Sequence, residues 1–149
     1  MSSAGSIASI AEAFAQTIVT KISVQGLGSE NGGGVTTQRT KLSDIQFISA
    51  AAGNLYANPG GTKSYIKGFI IHNLNSTVET VKIYNVPDSS GSLGTAGDTN
   101  IFINISVAAN ETVLIDFPYV IVLTDTNDSI QGSTTTASKV TFQILGDKE

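Results

Sequence analysis

Cysteine and tryptophan are absent from this sequence, and histidine and methionine occur once each. Without thiols there is no disulfide, no thiolate nucleophile and no cysteine-containing zinc site. The fold is therefore indifferent to the redox state of its surroundings. Charge is also scarce, at 13% of residues against about 25% in an ordinary soluble domain. Eight Lys and Arg, scattered singly, face twelve Asp and Glu, for a net charge of −4. No basic patch exists to neutralise a run of phosphates, so no nucleic-acid partner is expected. The longest apolar runs are about five residues, against about 20 for a membrane helix, and no membrane partner is expected. No Lys or Arg precedes Lys21 and no continuous apolar run follows the start, so no signal peptide is expected either.

What fills the chain instead is neutral and polar: 17 Ser, 17 Thr and 10 Asn, with 15 Gly. At 149 residues and 40% hydrophobic content, it holds one domain with a sizeable core. From residue 35 onward the period-2 signal of strands dominates. Ile101, Ile103, Ile105 and Val107 alternate with Phe102, Asn104, Ser106 and Ala108. Val113, Ile115 and Phe117 repeat the pattern, as do Val140, Phe142 and Ile144. Residues 64–74 and 78–86 read as a strand pair joined at Asn75-Ser76-Thr77, and 119–123 and 129–136 as two more strands. Asn58-Pro59-Gly60-Gly61, Ala108-Ala109-Asn110 and Asp125-Thr126-Asn127-Asp128 carry turn chemistry, the last two as hairpins. Residues 87–97 read as a longer flexible loop. About eight short strands without intervening helices predict an all-β fold, an antiparallel β-sandwich of jelly-roll-like type.

The first 34 residues differ. Ile7, Ile10, Ala11, Phe14, Ala15 and Ile18 fall on one face of a short amphipathic helix that Ser6 would cap. Such a helix needs a surface to pack on. Thr20, Ile22 and Val24 alternate as a strand would, and residues 26–34 have a linker's glycine content. The expected organisation is an arm, residues 1–34, tethered to a sandwich, residues 35–149.

Candidates for chemistry are few. His72, flanked on its strand face by Ile70 and Leu74, has no G-x-S-x-G motif to serve and reads as a structural histidine. Asp125, Asn127 and Asp128 crowd oxygen ligands into one turn, as calcium requires, but Ser129 and Ile130 break the EF-hand pattern; a hydrogen-bonded turn is the better reading. Asp44, Asp88, Asp98 and Asp116 could meet as paired carboxylates, though nothing in their spacing singles any out. Pro59-Gly60-Gly61-Thr62-Lys63-Ser64 superficially resembles a phosphate loop but precedes a strand rather than a helix. N-x-S/T triplets begin at Asn75, Asn104, Asn110 and Asn127, as expected by chance in so Asn- and Thr-rich a chain. Tyr56, Tyr65, Tyr84 and Tyr119 could stack on sugars, while Phe47, Phe69, Phe102, Phe117 and Phe142 read as core or subunit contacts. No catalytic residue, cofactor or metal is expected.

Three segments carry a resemblance. "NLYANPGGTKSYIKGFIIHNLNSTVETVKIYNVP" (54–87), "NIFINISVAANETVLIDFPYVIVL" (100–123) and "NDSIQGSTTTASKVTFQILGDKE" (127–149) are similar to small virion proteins of tailed bacteriophages. Those proteins share a Tyr-x-x-Pro-Gly turn, a strand ending in His/Ala-Asn, a small-residue turn followed by Glu-Thr, and a closing hairpin. Asn127 stands where they often carry Gly. The resemblance implies a non-enzymatic β-sandwich on the outer surface of a virion. The expected protein is a capsid decoration (cement) protein, a homotrimer bound to the major capsid protein or another virion protein. Ile7, Ile10, Phe14 and Ile18 would anchor that partner. The alternative is a tail or fibre accessory module that binds a host receptor or glycan through loop tips and exposed tyrosines.

Overall fold

Alternating apolar residues become strands only when a second surface covers their inner face. In the computed structural model, which describes residues 40–149, two sheets cover one another. The helix and strand expected within residues 1–34, with the anchoring residues Ile7, Ile10, Phe14 and Ile18, lie outside the described residues. The strands are β1 (Thr40–Lys41), β2 (Gln46–Phe47), β3 (Gly53–Ala57), β4 (Ser64–Asn73), β5 (Glu79–Val86), β6 (Ile101–Val107), β7 (Thr112–Leu123), β8 (Ser129–Thr134) and β9 (Val140–Lys148). A single 3-10 turn, Asp98–Asn100, precedes β6.

One sheet runs β1-β9-β4-β7, with β2 also paired to β9; the other runs β3-β8-β5-β6. Every pairing is antiparallel. β1 and β2 follow the same side of β9, Thr40 opposite Gly146 and Phe47 opposite Thr141, and act as one interrupted edge strand. Counted so, eight strands form two nested Greek keys, the order of a jelly roll. The all-β sandwich read from the sequence is therefore the fold.

The connections differ from that reading. β4 and β5 do not pair, nor do β6 and β7, or β7 and β8; each of these tight turns carries the chain from one sheet to the other. β5 and β6 alone are consecutive partners, and the longest loop joins them. Turn residues specify a reversal of direction, not whether the returning strand pairs beside its predecessor or packs across from it. Residues 113–117 and 119–123 also form one strand rather than two. Pro118 is tolerated because β7 is an edge strand, where the missing N–H leaves no ladder bond unmade.

Two irregularities re-aim side chains. Both ladders of β4 shift between Ile66 and Gly68, so Lys67 is an inserted residue. The inward phase accordingly changes from Ser64 and Ile66 to Phe69, Ile71 and Asn73. On β6 the register slips at Phe102. Simple alternation would send Phe102 outward, yet its ring lies 6.0 Å from Phe69 and 6.3 Å from Phe117. Phe69 also meets Phe117 at 5.2 Å and Phe142 at 4.9 Å, so four phenylalanines knit both sheets together. Around them Ile48, Ile66, Ile71, Val81, Ile83, Ile130, Val140 and Ile144 are fully buried. Each such side chain contributes about 1.5–3 kcal/mol relative to exposure.

Candidate functional site

Burying a polar side chain is costly unless it is hydrogen-bonded, so the buried polar residues show what the turns are for. Asn58 and Asn73, one ahead of β4 and one at its end, are both buried. The Asn58 amide donates to the carbonyls of Thr62 (2.9 Å) and Asp125 (3.1 Å), and its oxygen accepts the Ser64 hydroxyl (2.6 Å). The Asn73 amide lies within 3.0 Å of the carbonyls of Thr77, Val107 and Ala108, and its oxygen accepts Asn75 N–H. Each asparagine thus staples two sheet-crossing turns. These are residues of the Tyr-x-x-Pro-Gly and His-Asn patterns, which accordingly mark architecture rather than chemistry.

Glu79 is a buried residue that the sequence reading missed. It is 1% exposed at the start of β5. Its carboxylate accepts the Asn75 amide (2.7 Å), the Thr134 hydroxyl (3.1 Å) and Thr136 N–H (2.8 Å). Burial pushes this carboxyl up, but the hydrogen bonds from Asn75, Thr136 and Thr134 outweigh it and hold it below the usual range. The signal was available: Glu79, Val81 and Ile83 share one phase of the alternation, which places the carboxylate inward. These contacts tie the start of β5 to the turn before it through Asn75 and to the end of β8 and the turn beyond through Thr134 and Thr136, a structural task.

The expected candidates sort as follows. Asp88, Asp125 and Asp128 do converge, with ligand oxygens within 4.8 Å of one another. Asp128 accepts the N–H groups of Asp88, Thr124 and Asp125, and Asp88 accepts that of Gly91. These carboxylates build the turn, as Asp does where it bonds its own backbone. Asn127 adopts φ +73°, a left-handed conformation that Gly takes freely and Asn tolerates best among the others. Asp44 pairs instead with Lys41, whose hydrogen bond and charge lower its carboxyl. Asp98 lies in the 3-10 turn and Asp116 on β7.

His72 hydrogen-bonds through Nδ1 to the side-chain hydroxyl of Thr112 across the β4–β7 ladder (2.8 Å), on the exposed side of the sheet. The Pro59–Ser64 turn edges a shallow open depression of about 340 Å³ lined by Gly61, Thr62, Lys63, Thr124 and Glu149. It leads directly into β4, with no helix to converge amides on a phosphate. The loop at 87–97 is pinned rather than loose. Ser89 and Ser92 bridge it internally, Asn127 donates to Gly91, and Gln131 donates to Gly94. Tyr56, Tyr65 and Tyr84 spend their hydroxyls on Ser64, Glu149 and Ser133. Tyr119, 86% exposed, projects from β7, where four residues, 117–120, bridge a step that β4 makes with Lys67 alone.

One outer face carries exposed apolar residues beside charged ones, Lys41, Asp116 and the Lys67–Asp147 pair. On the outer face of the β1-β9-β4-β7 sheet, register places Leu114 beside Ile70, Val122 beside Tyr65, and Phe47 beside Thr141. Leu114 is 59% exposed, Phe47 54%, and Leu74, Val120 and Val122 more than 40%. The outer face of the second sheet is polar by contrast, with Thr80, Lys82, Asn104 and Ser106. No protein-family model matches the chain, and no curated protein or solved structure matches it.

Proposed function

We propose that this protein is a non-enzymatic structural component of a virion, a decoration protein that binds the outer capsid surface and stabilises the head. The observation that carries the reading is the asymmetry of the sandwich. One outer face sets Phe47, Leu114, Val120 and Val122 in the open beside Lys41, Asp116 and the Lys67–Asp147 pair, a mixed surface suited to protein contact, and the other is wetted by hydroxyls and amides. The polar clusters of the described residues are spent on holding turns, which supports a mechanical role. The partner is the major capsid protein or another virion protein, with Ile7, Ile10, Phe14 and Ile18 as anchors and association into a homo-oligomer, expected as a trimer. Repeated weak contacts on a lattice add steeply when the bound unit is multivalent.

The test is immunogold labelling of purified virions with an antibody to residues 40–149. Even label over the head supports decoration; label confined to the tail favours the accessory reading, to which exposed Tyr119 would offer a ring for a sugar. Absence of label on intact and denatured particles overturns both. A full-length variant carrying Ile10→Asp and Phe14→Asp is expected to lose particle binding, and retained binding removes the anchoring role.

A further inference from the structure

The turn between β8 and β9, residues 135–139, is exposed throughout and is held to the sandwich at few points. Lys139 accepts Leu74 N–H at one end (2.8 Å), and Thr134 N–H reaches the Ser49 carbonyl at the other (3.0 Å). Between them the main chain is tied by Thr136 N–H to Oε2 of Glu79 (2.8 Å) and by a longer bond from Ser138 N–H to the Ile48 carbonyl (3.4 Å). The Thr135 hydroxyl also accepts Thr80 N–H (3.1 Å). Ser138 sits at φ +58°, a left-handed conformation that costs energy in a residue with a Cβ and persists where its surroundings enforce it. The neighbouring turn, 74–78, is anchored otherwise. Asn73 binds Thr77 and Asn75 (both 2.8 Å), and the Asn75 carbonyl accepts Asn110 N–H (3.2 Å), so the Glu79 contact with the Asn75 amide is one tie among several.

We propose that Glu79 is an acid-released clasp: its ionised carboxylate keeps the turn at 135–139 closed, and protonation frees that turn while the sandwich and the turn at 74–78 stay formed. A proton on Oε1 would face the Asn75 amide nitrogen, and that amide cannot turn over without losing the bond its oxygen accepts from Ser76 N–H (2.9 Å). A proton on Oε2 faces two donors, of which the Thr134 hydroxyl can rotate to accept it. Thr136 N–H cannot be re-aimed, so it is the contact given up. A charge-assisted bond is lost there, two residues from the strained Ser138. The apolar core takes no part, since Val81 and Ile83 continue the inward phase of β5 and carry no charge. Few other charges bear on the site. β6 and β8, the strands that flank β5, contain no titratable residue. Among the described residues the adjoining turns contribute Glu111, whose carboxylate accepts Ala108 N–H (2.7 Å), and Lys139. Lys82 lies on the opposite phase of β5, and His72 on the exposed side of the other sheet. Burial raises the proton affinity of Glu79, and the bonds from Asn75, Thr136 and Thr134 more than offset it. The clasp is therefore closed above the ordinary value of 4.5 and opens as pH falls through the lower, folded value.

Isotope-labelled full-length protein tests this by NMR. The side-chain carboxyl carbon of Glu79 reports its titration, and amide exchange, corrected for the intrinsic rate at each pH, reports the turns. Thr136 N–H is expected to lose protection about tenfold or more across that titration, the effect of one charge-assisted hydrogen bond. The amides of Asn73, Asn75 and β4 are expected to keep theirs. Thr134→Val retains the shape but removes one donor to the carboxylate, and is expected to move the release to higher pH. A threonine that merely filled space would leave the midpoint where it is. Glu79→Gln, which does not titrate, is expected to abolish the pH dependence at Thr136. Protection at Thr136 that is unchanged through the Glu79 titration overturns the proposal. So does a loss at 135–139 that is matched at 74–78 and in β4, because that is general unfolding rather than release of one turn. Virion labelling is read at neutral pH, so neither failure can be mistaken for the other.

Discussion

Glu79 and Gly146 show how much of this fold rests on single positions. The Glu79 carboxyl titrates lower in the folded protein than its ordinary value of 4.5. Its ionised form therefore contributes stability that is fully present above about pH 4.5 and lost as pH falls through the lower, folded value. Glu79→Gln keeps the shape but replaces one acceptor oxygen by a donor facing Thr134 and Thr136 or Asn75. We expect a loss of about 1–3 kcal/mol at neutral pH and a flatter acid limb in urea unfolding as pH falls below the ordinary value of 4.5. An unchanged acid limb would assign that limb to other carboxylates. Gly146 is constrained differently: a Cβ there would lie 2.0 Å from the Tyr65 carbonyl oxygen and 2.8 Å from Leu42 Cδ1. Gly146→Ala forces the β4–β9 ladder apart, and we expect about 3 kcal/mol of destabilisation in denaturant titration. Neither residue stands out by type, but their positions differ in legibility. Alternation with Val81 and Ile83 reveals the inward carboxylate, whereas the pressure on Gly146 comes from residues 81 and 104 positions away in the chain.

Elements follow the same division between local and distant causes. Strand existence is readable from period-2 patterning, and β6 and β9 fall where Ile101–Val107 and Val140–Ile144 place them. Pairing is not readable, because Asn75-Ser76-Thr77 and Ala108-Ala109-Asn110 mark reversals that serve a hairpin and a sheet crossing equally well. What distinguishes them is Asn73, whose amide reaches both turns at once. β3, with Gly53 and a bulge, carries too weak an alternation to announce itself and exists through its ladder with β8. The 87–97 loop shows the same limit: its glycine and serine content suggests looseness, while its order comes from Gln131 and Asn127 on the far side of the chain. Gln131→Ala is expected to accelerate amide exchange around residues 89–97 while costing about 1 kcal/mol globally. Slow exchange retained in that loop would show that the Ser89–Ser92 bridge and Asn127 suffice.

At the scale of the whole molecule, stability comes from apolar burial between two sheets and from turns closed by their own side chains. Ion pairs are few among the described residues, Lys41–Asp44 and Lys67–Asp147. The aspartate corner behaves as part of this frame, with the Asp128 and Asp88 carboxylates accepting backbone amides. Thermal unfolding is therefore expected at the same midpoint with about 1 mM calcium or with a chelator, since only a ligand that binds the folded state raises it. A calcium-dependent rise would convert the corner into a metal site. The candidate surface was partly legible, since apolar residues on both phases of 64–74 imply a covered outer face. Its extent across β7 and β2 was not, because that depends on which strands the jelly roll makes neighbours.

The position of β9 in the strand order has a further consequence. It lies between β1/β2 and β4, so the middle of one sheet is written after nearly everything else in the described chain. During translation β1 and β2 emerge with the strand that joins them to β4 still missing, while β4 can already pair with β7. The other sheet waits similarly for β8, which separates β3 from β5. Before β9 appears, the second sheet and the β4–β7 pair can already form with native neighbours, but β1 and β2 have no partner and the first sheet stays open until β9 has left the exit tunnel. Closing the first sheet around β9 is thus the step of folding that synthesis delays most, and until it happens the inner faces of β1, β2 and β4 are the surfaces most in need of a chaperone.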